Sequence, residues 1–380
     1  MLGEEAPMTT ALPAQRACSI PATIKGLSLV AKSQFEWAER APGELSPDEV
    51  IIEVAGCGVC HTDIGFAYEG IPTRHVLPLI LGHEIAGRVV LAGDRAGNWI
   101  GRSVIVPAVI PCGTCDTCRG GRPTICRKQF MPGNDADGGF ATHVRVPARG
   151  LCPVPEELPR GISLAMLSVV ADAVTTPYEA IRRSGLTAED VAVFVGAGGI
   201  GGFGVQIAAG LGAAVVAIDV DANRLELASG HGAALALNAR ECGDVKSAVR
   251  TFAKQSGRHG IGFKVFETSG TAAGQQTAFS LLDPGAHLAI VGYTAQKVEV
   301  RLSNLMAFDA TARGNWGCPP DQYPNALAMV IDGKIQIQPF IEMHALEEAQ
   351  QVLEAVHHHQ LRRRAVLAPQ PRDTQQGTMR

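Results

Sequence analysis

Short apolar runs broken by Gly, Pro and Asp dominate residues 20–150. Residues 50–55 (VIIEVA), 85–91 (IAGRVVL) and 103–106 (SVIV) each read as a strand, so this stretch is β-rich and barrel-like. Near residue 160 the texture changes. Residues 164–183 carry helical spacing, and beyond them compact apolar runs alternate with helical segments. The run 191–195 (VAVFV) is apolar throughout, as in a strand covered on both faces, and 201–211 is the helix that follows. Residues 214–219 form a second strand, 224–229 open another helix, and 262–267 and 287–291 are later strands. Repeated strand–helix units predict a parallel sheet with right-handed crossovers. The reading is an α/β chain in which residues 1–173 and 311–380 form the β-rich domain and 174–310 a doubly wound parallel-sheet domain. The polar tail from residue 369 reads as loose.

Composition agrees with two cores. The chain has 380 residues, of which 46% are hydrophobic and 18% charged, too few charges for a disordered protein. A net charge of −4 and a pI near 6.3 leave no electrostatic footprint for nucleic acid. The first residues, MLGEEAP, lack the basic start and apolar core of a secretory signal, so a cytoplasmic protein is expected. Residues 191–218 carry no charge and are long enough to span a bilayer, but eight glycines in a loop pattern favour a buried strand–loop–helix, and no membrane partner is expected.

After the strand at 191 come Gly196, Gly198, Gly199, Ile200 and Gly201, in the pattern G-x-G-x-x-G. The first glycine permits a tight turn, the second lets backbone N–H groups approach a pyrophosphate, and the third lets the helix pack close to the strand. The helix N-terminus adds partial positive charge. Glycines alone are weak evidence. Asp219, at the end of the next strand, strengthens them, because a carboxylate there accepts from the adenosine ribose hydroxyls and repels a 2′-phosphate. NAD is favoured over NADP. Asp221 reads as a solvated turn residue.

Six of ten cysteines crowd into residues 57–126. Cys112, Cys115, Cys118 and Cys126 follow C-x2-C-x2-C-x7-C, and four thiolates that close together can wrap a tetrahedral ion. Zinc is favoured and an iron–sulfur cluster is the rival. With no open position, this site is structural. A second constellation is 56–63 (GCGVCHTD) with 81–84 (LGHE), where Cys60 and His83 could hold a catalytic ion with a vacant position, although one Cys and one His twenty residues apart carry little weight alone. Cys18, Cys57, Cys152, Cys242 and Cys318 read as ordinary thiols, and His357–His359 as a solvated helix end.

Taken together, these motifs resemble the zinc-dependent medium-chain alcohol dehydrogenase superfamily, over roughly residues 25–367. The resemblance implies a GroES-like catalytic domain, a Rossmann cofactor domain, NAD, and two zinc ions per chain, one catalytic and one structural. It makes Cys60 and His83 catalytic zinc ligands, gives Thr62 the substrate hydroxyl, has Asp63 orient His83, and sets Glu84 behind the zinc or as an alternate ligand. The third ligand, usually a cysteine six residues before a tyrosine, is matched by Asp172 ahead of Tyr178, with Thr176 also matching; Glu84 and Cys152 are outside candidates. His61 and Arg364 fall where basic residues face the cofactor pyrophosphate, and Arg224, Gly292 and Tyr293 are further cofactor residues. The relay histidine of many relatives is Gly65 here, so the proton is expected to pass from Thr62 through the cofactor ribose and water. Ala108 leaves room for a ring-bearing substrate. Within the family the resemblance points to oxidation of a secondary ring alcohol carried as a CoA thioester in aromatic catabolism, with Arg74, Arg127, Lys128 and Arg145 as candidate phosphate contacts. Another cyclic, aryl or polyol alcohol is the alternative substrate. A zinc-free quinone reductase or a non-catalytic NAD-binding protein of the same fold is the alternative class. A homotetramer is expected, with a dimer also open.

Overall fold

The computed structural model describes residues 22–258 and 260–369. The N-terminal stretch, Cys18 and the tail beyond residue 369 lie outside the described residues. The first domain contributes β1 (Ile24–Ala31), β2 (Gln34–Arg40), β3 (Glu49–Gly58), β4 (Leu79–Ile80), β5 (Glu84–Ala92), β6 (Ser103–Val106), β7 (His143–Pro147) and β8 (Cys152–Pro153). Its loops hold two single turns, α1 (His61–Ile64) and α2 (Asp116–Arg119). β2, β1 and β4 form a small sheet, packed on a larger, mostly antiparallel one through Leu29, Ile52, Leu79, Phe140 and Val144.

The pairing of β3 with β5 explains how two distant motifs meet. Gly58 at the end of β3 is opposite Glu84 at the start of β5. Chain leaving β3 therefore runs beside chain entering β5, and Cys60 comes to lie next to His83. Gly58 itself has no room for a side chain, since a Cβ there would sit 2.0 Å from Glu84 Oε2.

The second domain is wound as expected. β9 (Val191–Val195), β10 (Ala214–Asp219), β11 (Leu235–Asn238), β12 (Lys264–Glu267), β13 (His287–Ile290) and β14 (Thr311–Gly314) form one parallel sheet in the order β11-β10-β9-β12-β13-β14. The helices α3 (Thr175–Ser184), α4 (Gly201–Gly210), α5 (Ala222–Gly230), α6 (Val245–Gln255), α7 (Ala272–Ser280) and α8 (Ser303–Ala307) accompany it. The order reverses between β9 and β12, which opens a crevice at their carboxyl ends. The chain then returns through α9 (Tyr323–Ile331), β15 (Ile341–Ala345), α10 (Ala349–His357) and β16 (Arg364–Ala368).

Two boundaries differ from the sequence reading. The return to the first domain does not begin at 311, because Thr311–Gly314 pairs with β13 as the sixth parallel strand. That strand is exposed along its whole length and reads TARG, so no apolar run marks it. The helix expected over 164–183 is broken: a 3-10 turn at Met166–Ala171 ends before Asp172, whose φ of −143° leaves the helical region, and α3 starts at Thr175. Among the described residues no helix is long and apolar enough to cross a membrane, and 191–218 is β9, loop, α4 and β10.

Candidate metal centre and cofactor cleft

Cys60, His83, Glu84 and Asp172 each direct a donor atom into one cluster, all within 4.8 Å of one another. Cys60 Sγ and His83 Nε2 lie 3.7 and 3.8 Å from Asp172 Oδ2. Donors on a zinc ion at bond lengths of about 2.0–2.3 Å are separated by roughly 3.4–3.8 Å, so sulfur, imidazole and carboxylate fit such an ion. Asp63 ties the two loops together. Its Oδ2 accepts from the Cys60 N–H at 2.9 Å, closing α1, while Oδ1 accepts from the Gly82 N–H and faces His83 Nδ1, both at 3.2 Å. That contact leaves Nε2 to face the cluster.

Asp172 sits in the break that splits the expected helix, and its side chain is largely buried. Burial would raise its carboxyl, but hydrogen bonding to His83 and to the Thr176 hydroxyl holds it at about 2. Burial would likewise lower His83, yet the Asp63 and Asp172 carboxylates raise it well above its ordinary value. Glu84 shares the cluster with an oxygen while Arg364 grips its carboxylate in a fork, with Nε donating to Oε2 at 2.8 Å. Burial pushes the Glu84 carboxyl up to about 7, Arg364 opposing and Asp172 adding to the rise. Cys152 lies on β8 outside the cluster, and burial takes its thiol up to about 12.

One supporting residue had no signal in the sequence. Tyr323 on α9 is fully buried, donates from its hydroxyl to the Ala171 carbonyl at 2.6 Å, and accepts from the Ala108 N–H at 3.2 Å. It thus fixes both the segment before Asp172 and the Ala108 position across 152 and 215 residues of chain.

Cys112, Cys115, Cys118 and Cys126 form a second cluster, with sulfur separations of 3.4–4.0 Å near the roughly 3.8 Å edge of a zinc tetrathiolate. The Thr114 N–H and hydroxyl bring the Cys112 thiol down to about 5 and the Thr117 hydroxyl lowers Cys115, whereas desolvation and the neighbouring Cys115 push Cys118 up to about 12. Among the described cysteines none is in a disulfide.

The glycine loop opens onto a cleft. Gly196 has φ +101°, and a Cβ on it would lie 2.5 Å from the Ser269 backbone nitrogen; one on Gly201 would lie 1.8 Å from the Gly196 carbonyl. A Cβ on Gly198, by contrast, would meet the Arg224 guanidinium, at 3.5 Å from Nη1. The cleft is lined by Gly198, Gly199, His61, Arg224, Arg364 and His359, among others. Desolvation first, then the positive fields of Arg364, His359 and Arg224, depress His61 to about 4. Arg364 spans two sites, since its Nη1 lies 3.0 Å from where a Gly199 Cβ would be while its other nitrogens hold Glu84. Asp219 closes the end of β10. Its oxygens accept from the N–H groups of Ala197, Val220 and Asp221 at 2.7–3.0 Å, and Arg224 stands 4.0 Å away. Gly292 and Tyr293 follow β13, with Gly292 N–H bonded to the Glu267 carbonyl at 3.0 Å and Tyr293 exposed.

The structure adds detail to three expectations. Asp221 is no free turn residue but the N-cap of α5, accepting from the Asn223 N–H at 2.8 Å. His357–His359 is the end of α10 as expected, with His358 and His359 exposed, but it also makes ring contacts: His357 stacks on Tyr68 with centroids 4.4 Å apart, and His359 stacks on His61. Of the basic residues considered for phosphate, Arg74 pairs with Asp135 and Arg145 donates to the Glu44 carbonyl, while Arg127 and Lys128 are exposed.

Comparison with known proteins agrees with this geometry. Residues 46–156 match the family model described as alcohol dehydrogenase GroES-like domain, and 199–332 that described as zinc-binding dehydrogenase. An uncharacterized zinc-type alcohol dehydrogenase-like protein of Haemophilus influenzae is 31% identical over 321 residues, covering 84% of this chain and 90% of its own. An alcohol dehydrogenase of Geobacillus stearothermophilus is 29% identical over 338 residues, covering 88% and 96%. Among solved structures, a zinc-binding dehydrogenase of Sinorhizobium meliloti 1021 bound to NADP superposes with a TM-score of 0.78 at 26% identity, over 92% of this chain and all of that one. The chain belongs to the zinc-dependent medium-chain alcohol dehydrogenase superfamily, and its class is that of NAD-dependent zinc alcohol dehydrogenases.

Proposed function

We propose that this chain oxidises a secondary ring alcohol to a ketone, with 6-hydroxycyclohex-1-ene-1-carbonyl-CoA as the alcohol and its 6-oxo counterpart as the product. The observation that carries the chemistry is the convergence of Cys60, His83 and Asp172 beside the cleft of the glycine loop. Zinc held there supplies Lewis acidity toward the substrate hydroxyl, and NAD supplies the hydride acceptor. Asp63 keeps the His83 ring in place. A carboxylate at the third position donates less charge than a thiolate, which favours a more electrophilic ion. Thr62, whose Oγ1 is 3.7 Å from Cys60 Sγ, accepts the hydroxyl proton and hands it to water, Gly65 offering no imidazole. Arg364 and Glu84 join the cluster to the glycine loop. Asp219, already bound to three N–H groups, favours NAD over NADP.

The ring substrate is supported by the resemblance in sequence and by Ala108, whose methyl group is small and buried and whose N–H donates to the Tyr323 hydroxyl, itself bonded to the segment before Asp172. Exposed Arg127 and Lys128 offer charge to CoA phosphates. Assembly into a homotetramer, or a dimer, is supported by the exposed strand β14 and by exposed Leu302, Met306 and Trp316. A substrate panel with NAD, comparing free cyclic alcohols with their CoA thioesters, tests the substrate. Turnover of free alcohols alone refutes the thioester and leaves the zinc chemistry intact.

A further inference from the structure

We propose that His359 is a cofactor-binding residue that, stacked on His61, grips the diphosphate of the dinucleotide. The proposal rests on the NAD reading above and adds a residue to it. His359 ends α10 with φ +55°, and the turn is closed by the Gln360 N–H on the Ala355 carbonyl at 2.9 Å and the His359 N–H on the Val356 carbonyl at 3.1 Å. Helices commonly end in this left-handed form, and glycine is the residue that suits it. A side chain with a Cβ stands there against local preference, and such departures concentrate where a ligand is held.

The backbone turn sends the imidazole back across the domain onto His61, with ring centroids 5.9 Å apart and planes inclined by 23°. Both rings line the cleft with Gly198 and Gly199, at the loop that leads into the ten-residue α4. Arg224 and three consecutive arginines, Arg362 to Arg364, line it too, and none of the described residues lining it is acidic. Of these cations Arg364 is engaged by Glu84, and Arg224 lies 4.0 Å from Asp219 and Asp221. Two imidazoles brought face to face among guanidiniums gain nothing from one another electrostatically. A doubly charged diphosphate at the edge the two rings share accepts an N–H from each and balances the field, and its position at the glycine loop selects a dinucleotide over other anions.

The test is calorimetric titration of the zinc-loaded enzyme with NADH, ADP-ribose and adenosine, in wild type and His359→Gly, with Tm measured for both. Glycine removes the imidazole and suits the left-handed turn, so the fold holds. We expect dissociation constants for NADH and ADP-ribose to rise about tenfold, as for loss of one hydrogen bond to a charged group. Adenosine affinity and Tm should not fall. Equal affinity of both proteins for ADP-ribose overturns the proposal, as does a parallel loss of adenosine affinity with a lower Tm, which marks a structural role. Wild-type enzyme that binds neither NADH nor ADP-ribose overturns the NAD reading along with it.

Discussion

Removing one oxygen atom, in Tyr323→Phe, is expected to weaken the catalytic centre from a distance. The ring is 1% exposed and phenylalanine keeps its shape, so packing is conserved and only hydrogen bonding changes. The two partners are affected unequally. The Ala171 carbonyl retains the Thr175 hydroxyl at 3.3 Å, so it stays satisfied. The Ala108 N–H, in a residue 3% exposed, loses its partner inside the protein. Leaving one buried donor unpaired costs about 1–3 kcal/mol, so a loss of about 2 kcal/mol is expected, seen as a Tm lower by a few degrees. Asp172 follows Ala171 directly, and slackness there misplaces one donor of the proposed zinc site. A fall of about tenfold in kcat/KM is expected with both zinc ions retained. Differential scanning calorimetry, metal analysis and steady-state rates measure the three quantities. Unchanged Tm and kcat/KM would refute the assigned role of the hydroxyl.

Other substitutions separate the two metal sites and the cofactor site. Cys60→Ser should abolish turnover and lower zinc from two ions per chain to one, while NADH titration shows binding preserved; two retained zinc ions would speak against the cluster. Asp172→Asn keeps a partner for Thr176 but removes the ligand charge, and a fall in kcat/KM of at least about 100-fold is expected, with zinc at the four cysteines unaffected. Cys112→Ser should cost the structural ion and, since such sites contribute on the order of 10 kcal/mol to local folding, expose residues 112–126 to proteolysis; an unaltered digestion pattern counts against a metal there. Asp219→Gly should reduce the preference for NAD over NADP by about tenfold or more, read from the two kcat/KM values, and an unaltered ratio removes its role.

Much of the site was legible because its chemistry is local. Four cysteines within 15 residues declare a tetrahedral site without any tertiary information, and a glycine loop between a strand and a helix carries its own geometry. β9 and β10 were equally plain, since strands covered on both faces are apolar throughout. β14 was missed for the opposite reason: an exposed edge strand carries no apolar run. Asp172 entered only through family resemblance, because a carboxylate in a broken helix has no local signature; the structure brings it beside Cys60 and His83.

Sequence by itself therefore determined the sheet-forming segments, the thiolate cluster and the phosphate loop, all of which depend on residues close together along the chain. Only the tertiary structure decided which distant groups share one space. The antiparallel register of β3 and β5 joins Cys60 to His83, the return of β16 sets Arg364 on Glu84, and α9 brings Tyr323 under Asp172. Those contacts are set by strand pairing and core packing summed over both domains, and such sums leave no mark at any single position.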